Sequence, residues 1–166
     1  MEGRSRKLLT FSDVRLAPNG DVIVVHFDRA HHEIHLAPNG NIYTAVRRTR
    51  EAALRGEVLP FLDDAIVELS PDGKVRSTLP LYDFAADLVP EQRWKRIREQ
   101  VASGEPIKRR FECGQYGGTP YDVFHLNSIE VLGRDVAGVA AAGSILFCAR
   151  YLDLIGIVDP DSKELV

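Results

Sequence analysis

Two stretches near the start of the chain, FSDVRLAPNGDVIVVHF (11–27) and HHEIHLAPNGNIYTAVR (31–47), carry the same pentapeptide, LAPNG, at the same place. In each, apolar and polar residues alternate before the turn and a β-branched run follows it, the period-2 pattern of half-buried strands. Asn-Gly supplies the positive φ angles of a tight hairpin, so each stretch predicts two antiparallel strands. AIVELSPDGKVRSTL (65–79) uses Pro-Asp-Gly for the same purpose, and GIVDPDSKELV (156–166) reads as a fourth hairpin. DVFHLNSIEVL (122–132) and SILFCARYL (144–152) predict a further strand pair, joined by the small-residue linker GRDVAGVAAAG.

A single helix stands out over 90–102, with Trp94, Ile97 and Val101 along one face and Gly104 just beyond to stop it. Its outer face carries Arg93, Lys95, Arg96 and Arg98, a pattern that reads as a solvated surface without a function. Short antiparallel strands at regular spacing place the chain in the all-β class, and their grouping into four-strand units points to a partial β-propeller. The expected layout of the single domain 1–166 is a leading hairpin 11–27, a blade 31–79, a helical insertion 88–104 and a second blade 122–166. A closed propeller takes about four to eight blades, so two blades and a hairpin lead to the expectation of self-association or of further blades. The two LAPNG turns are 20 residues apart. A four-strand blade takes about 40 to 45 residues, so the first unit is expected to lack its outer strands.

Composition narrows the function classes. With 166 residues, 45% hydrophobic and 27% charged content and a net charge of -3, the chain reads as one soluble globular domain with no bulk charge to recruit nucleic acid. MEGRSRKLLTFSD (1–13) has basic residues but no apolar run behind them, so no signal peptide is legible, and no stretch approaches a membrane span. Cys113 and Cys148 lack metal-ligand spacing; they fit a disulfide in an exported protein and two thiols in a cytosolic one equally, which leaves the compartment open. Asp159, Asp161 and Ser162 lack the spacing of a calcium loop, and neither a catalytic triad nor a phosphate-cradling glycine loop can be assembled. No metal or cofactor is expected.

Asp122, His125, Asn127, Ser128 and Ile129, the strand ending at Arg150 and the segment IGIVDPDSKELV together resemble a blade of the bacterial arylsulfate sulfotransferase propeller. HHEIHLAPNGNIY and VELSPDGKV resemble the blade before it, so the likeness covers 11–166. The resemblance implies a six-bladed propeller that moves a sulfuryl group from an aryl sulfate to a phenol through a covalent sulfohistidine, in a family whose members are often exported. It also implies that His125, Asn127 and Arg150 bind the sulfuryl oxygens, and that the nucleophilic histidine belongs to a later blade, so no catalytic residue is assigned here.

The chemistry of these residue types agrees. Residues two apart on a strand share a face, which would aim His125 and Asn127 at one spot. A sulfuryl group in transfer spreads negative charge over its oxygens, and a forked, permanently charged arginine with imidazole and amide donors suits it. The plainer alternative is that His125 and Asn127 hold a turn while Arg150 pairs with Asp153 or Asp159. Aligning the repeats on their turns adds Arg47, seven residues after Gly40 as Arg150 is seven after Gly143. It also adds His32, six residues before Pro38, on the inward face, with His31 and Glu33 facing away. His35 falls on the opposite face and His26 has no partner. The competing function is a non-catalytic binding or interaction module built on the same hairpins.

Overall fold

The computed structural model describes residues 14–16 and 22–24 as backbone, and residues 30–54, 56–104 and 121–166. Within them the chain is all-β, and every pairing inside a sheet is antiparallel. β1 (Val14–Leu16) pairs with β2 (Val22–Val24). β3 (Ala30–Leu36), β4 (Ile42–Leu54), β5 (Glu57–Leu69) and β6 (Val75–Pro80) form a four-stranded sheet in sequence order. After the one-turn α1 (Tyr82–Ala85) and the expected helix, α2 (Glu91–Ala102), a second sheet follows in the order β7 (Leu126–Val131), β8 (Ile145–Ala149), β9 (Leu154–Val158). The sequence pattern suggested a fourth strand here; the structure has instead a single bridge from Val158 to Leu165.

The turns show how local chemistry draws the hairpins. Gly40 N donates to Ala37 O at 2.9 Å and Gly73 N to Ser70 O at 2.8 Å, and the two glycines take φ of 84° and 82°. Only the glycine is left-handed in each case, so Pro-Asn and Pro-Asp occupy the ordinary corners of a type I turn and the glycine completes a bulged hairpin. The Asp159–Lys163 turn repeats the device with Lys163 at φ 61°, and Asp159 N donates to Glu164 O at 3.0 Å. Asp159 Oδ1 accepts from the backbone of Asp161 and Ser162, so these residues serve the turn.

β4 and β5, 13 residues each, run well past their neighbours, and in the overhanging part of β5 the face carrying Leu59, Phe61 and Asp63 is buried. Phe61, fully buried, meets the rings of Tyr82, Trp94 and Phe124 at centroid distances of 5.1, 5.5 and 6.5 Å. Trp94 and Ile97, three apart on α2, are the buried stripe that docks the helix, whereas Val101 stays exposed. One core of buried side chains thus spans β5, α2 and both larger sheets. Cys148 is a half-buried thiol on β8; Cys113 and His26 lie outside the described residues.

Two acidic residues interrupt this core side by side. Asp63 and Asp64 are 4% and 0% exposed and, being adjacent on a strand, point to opposite faces. Asp63 accepts from Arg50 Nη1 at 3.0 Å and Tyr82 N at 3.2 Å. Burial pushes its carboxyl up to about 6, with Arg50 and the Tyr82 N–H only partly offsetting this. An acid whose folded pKa is raised contributes stability below its unfolded pKa that is lost as pH rises through the folded value. His32, whose pKa is lowered, contributes in the opposite sense over much of the same range, so the wild-type curve alone does not isolate Asp63. The stability of Asp63→Asn relative to wild type should therefore be small at pH ~4 and grow by on the order of 2 kcal/mol by pH ~7. Urea unfolding of both proteins across that range checks it, and a constant difference would refute the assignment.

Candidate functional site

The second acidic residue, Asp64, organises a polar cluster where the two larger sheets meet. Arg47 lies directly across from it on β4, and the guanidinium grips it side-on, Nε to Oδ1 at 2.7 Å and Nη2 to Oδ2 at 3.0 Å. His31 Nε2 lies 3.1 Å from Oδ1, and the backbone N–H of Leu126, the first residue of β7, donates to Oδ2 at 2.7 Å. One buried carboxylate thus ties β3, β4 and β7 together. Burial alone would raise its pKa, but Arg47 and His31 more than offset that and hold it below the usual carboxylate range.

Asp122 forms the other half of the cluster. Its Oδ1 accepts from His125 N at 3.1 Å, its Oδ2 lies 2.6 Å from His125 Nδ1, and Arg47 Nη1 is 2.9 Å from the same Oδ2. The Asp-x-x-His spacing therefore makes a local clasp. A carboxylate only accepts, so Nδ1 carries the shared proton and Nε2 is the ring nitrogen left for a ligand. Burial would lower the pKa of Arg47, but Asp64 and Asp122 outweigh it and keep the guanidinium charged.

The two site histidines share an unusual backbone. His32 at φ 64° and His125 at φ 53° are both left-handed, a conformation costly for any residue with a Cβ. His32 lies on β3 and His125 just ahead of β7, yet their ring centroids are 5.2 Å apart. His32 sits where the β3–β4 register slips between His31 and Ile34, and the bulge brings the His31 and His32 rings within 4.9 Å of each other. His31 thus turns to Asp64 instead of facing away: the strict alternation expected from the sequence fails at the bulge. His32 is exposed at its edge, and partial desolvation, then His31, His125 and Arg47, push its pKa down to about 4, so the ring is neutral at pH 7.

Arg150 and Asn127 are placed less tightly. Arg150 N donates to His125 O at 3.0 Å, and its exposed guanidinium carbon stands 6.0 Å from the centroid of the Tyr151 ring, itself 4.9 Å from the His125 ring. It makes no ion pair with Asp153 or Asp159, whose N–H groups serve local turns. Asn127 is half-buried in a second register slip, between Leu126 and Ser128, and His125 precedes the strand, so the simple two-apart rule does not place this pair. Arg47 is gathered into the cluster, but both carboxylates engage its guanidinium. Among the described residues, no group of histidine, cysteine and acidic side chains is arranged to hold a metal ion, and no helix is long and apolar enough to cross a membrane.

The model of one family, described as Arylsulfotransferase (ASST), matches residues 18–166. The chain belongs to the arylsulfotransferase family. The match takes in both larger sheets and every residue of the cluster, in keeping with the likeness carried by Asp122, His125, Asn127 and Arg150. No curated protein and no solved structure matches the chain. Sequence reading of this arylsulfotransferase chain gave no role to Asp64, Asp122, His31 or Tyr151. The signal for the first was an acidic doublet inside an apolar strand, FLDDAIVEL, which a buried polar site explains better than a surface does.

Proposed function

We propose that His32, His125, Asn127 and Arg150 bind the sulfuryl group of an aryl sulfate, and that the two larger sheets are neighbouring blades of a propeller-type arylsulfotransferase. The observation that carries this reading is the paired left-handed backbone of His32 on β3 and His125 just ahead of β7, whose imidazoles stand 5.2 Å apart. Each such conformation costs on the order of 1 kcal/mol or more, and strain of this kind persists where surrounding structure enforces it, typically at binding and catalytic positions. Here Asp122, Asp64 and Arg47 supply the enforcement. Arg150 provides a permanent charge with no carboxylate partner among the described residues, and His125, whose Nδ1 proton is held by Asp122, donates to an anion from Nε2 when the ring is doubly protonated. Sulfuryl transfer to a phenol is the family's reaction; for this chain the reading is of anion binding. Arg47 is the scaffold's cation, because its donors already face two carboxylates.

Calorimetric titration of p-nitrophenyl sulfate tests the site. Arg150→Ala should weaken binding roughly tenfold at low salt, the scale of a hydrogen bond to a charged group. His125→Ala should cost less, since it removes no permanent charge. Equal affinities for wild type and Arg150→Ala would reject the site and favour an interaction module built on the same sheets.

A further inference from the structure

Arg93 is the third residue of α2, and its side chain reaches back to the segment that follows β8. Nε donates to the Tyr151 carbonyl at 2.8 Å, and the guanidinium carbon lies 4.2 Å from the centroid of the Tyr151 ring. The His125 ring and the Arg150 guanidinium approach the same aromatic ring, at 4.9 and 6.0 Å. Tyr151 is thus the point at which the helix's arginine, the blade's arginine and a site histidine converge.

The other half-buried arginines among the described residues all have acidic partners. Arg47 holds Asp64 and Asp122, Arg50 holds Asp63 and Asp83, and Arg98 holds Glu91. Arg93 makes no ion pair among the described residues. Burial lowers its pKa, Tyr151 and Asp122 offset part of that, and Arg96 adds repulsion. A partly desolvated cation without a counter-ion carries an electrostatic penalty that an incoming anion relieves.

Resting on the anion-site reading above, we propose that Arg93 is a second cationic ligand of that site, sharing a sulfate or sulfate-ester group with Arg150 beside the Tyr151 ring. Contact with the carbonyl through Nε and with the ring through its face fixes the guanidinium plane. That leaves the two Nη groups to meet a pair of anion oxygens in the fork geometry arginine favours. The helix, whose basic face reads as ordinary solvated surface in the sequence, thereby delivers a binding residue to the sheets.

The test titrates inorganic sulfate and p-nitrophenyl sulfate into the full chain and its Arg93→Ala, Arg93→Lys, Arg150→Ala and Arg98→Ala variants, with a thermal melt of each. Arg93→Ala should weaken both probes about tenfold. Arg93→Lys should recover part of the loss, since it keeps the charge without the fork, and Arg98→Ala should bind as wild type. Loss of affinity in Arg150→Ala but not in Arg93→Ala would leave the site standing and overturn the role of Arg93. A lowered melting temperature with unchanged affinity in Arg93→Ala would do the same, reducing it to a clamp on Tyr151. If folded wild type binds neither probe, the site and this inference both fall.

Discussion

Asp64→Ala is expected to destabilise the protein by about 3–5 kcal/mol, the cost of breaking a buried ion pair from one side. The carboxylate is fully buried and takes four contacts, two from Arg47, one from His31 and one from the backbone of Leu126. Removing it leaves a buried N–H at the start of β7 without its acceptor and Arg47 with one carboxylate where it had two. Domains of this size are stable by only about 5–15 kcal/mol, so the variant should lose a large fraction of its folding free energy. Its pH dependence should change as well. A carboxyl held below its usual pKa contributes stability that is complete above the unfolded pKa and is lost as pH falls through the folded one. Wild type should therefore weaken below pH ~4, and Asp64→Ala should lack that component. Urea unfolding at neutral and acidic pH reads both effects; a midpoint like that of wild type would show that Asp64 does not hold the sheets together.

Asp122→Ala is expected to act on the ligand-facing chemistry as well as on stability. The cost should be about 2–4 kcal/mol, because the His125 N–H loses its acceptor and Arg47 its second carboxylate. More telling is the imidazole itself. With Asp122 2.6 Å from Nδ1, the proton of the neutral ring belongs on Nδ1 in wild type, and Nε2 holds the lone pair. Without Asp122 the Nδ1 proton loses its acceptor while Arg47 Nη2, 3.4 Å away, can donate to that nitrogen, so the proton should shift towards Nε2. Nitrogen-15 NMR of the His125 side chain distinguishes the two, and the wild-type measurement alone is decisive: a proton resident on Nε2 would contradict the geometry even if the variant fails to fold.

Much of the fold was legible because it is written in short-range chemistry. Pro-Asn-Gly and Pro-Asp-Gly force a reversal within a few residues, and alternating apolar residues on either side give each strand one face to bury, so three hairpins and one amphipathic helix follow from neighbours in the chain. The family likeness at 122–166 rests on similarly local spacing, Asp-x-x-His-x-Asn-Ser, which folds into its own clasp at Asp122 and His125.

The roles of individual side chains depended on what lies across from them, and that is non-local. Arg47 and Arg150 occupy equivalent places in the repeat, yet a buried carboxylate faces Arg47 from β5, whereas Arg150 stands exposed beside Tyr151 with no carboxylate partner among the described residues. Period-2 counting sent His31 outward and His32 inward, but a bulge in β3 lets both rings gather at Asp64 and His125. Arg93 read as solvent-facing because helical periodicity reports only which face is apolar. That the side chain reaches Tyr151, 58 residues further along, was decided by how α2 docks through Trp94 and Ile97. Turn chemistry and periodicity act within a few residues and survive in the sequence, while register slips and cross-sheet charge pairing arise only when distant segments are packed together.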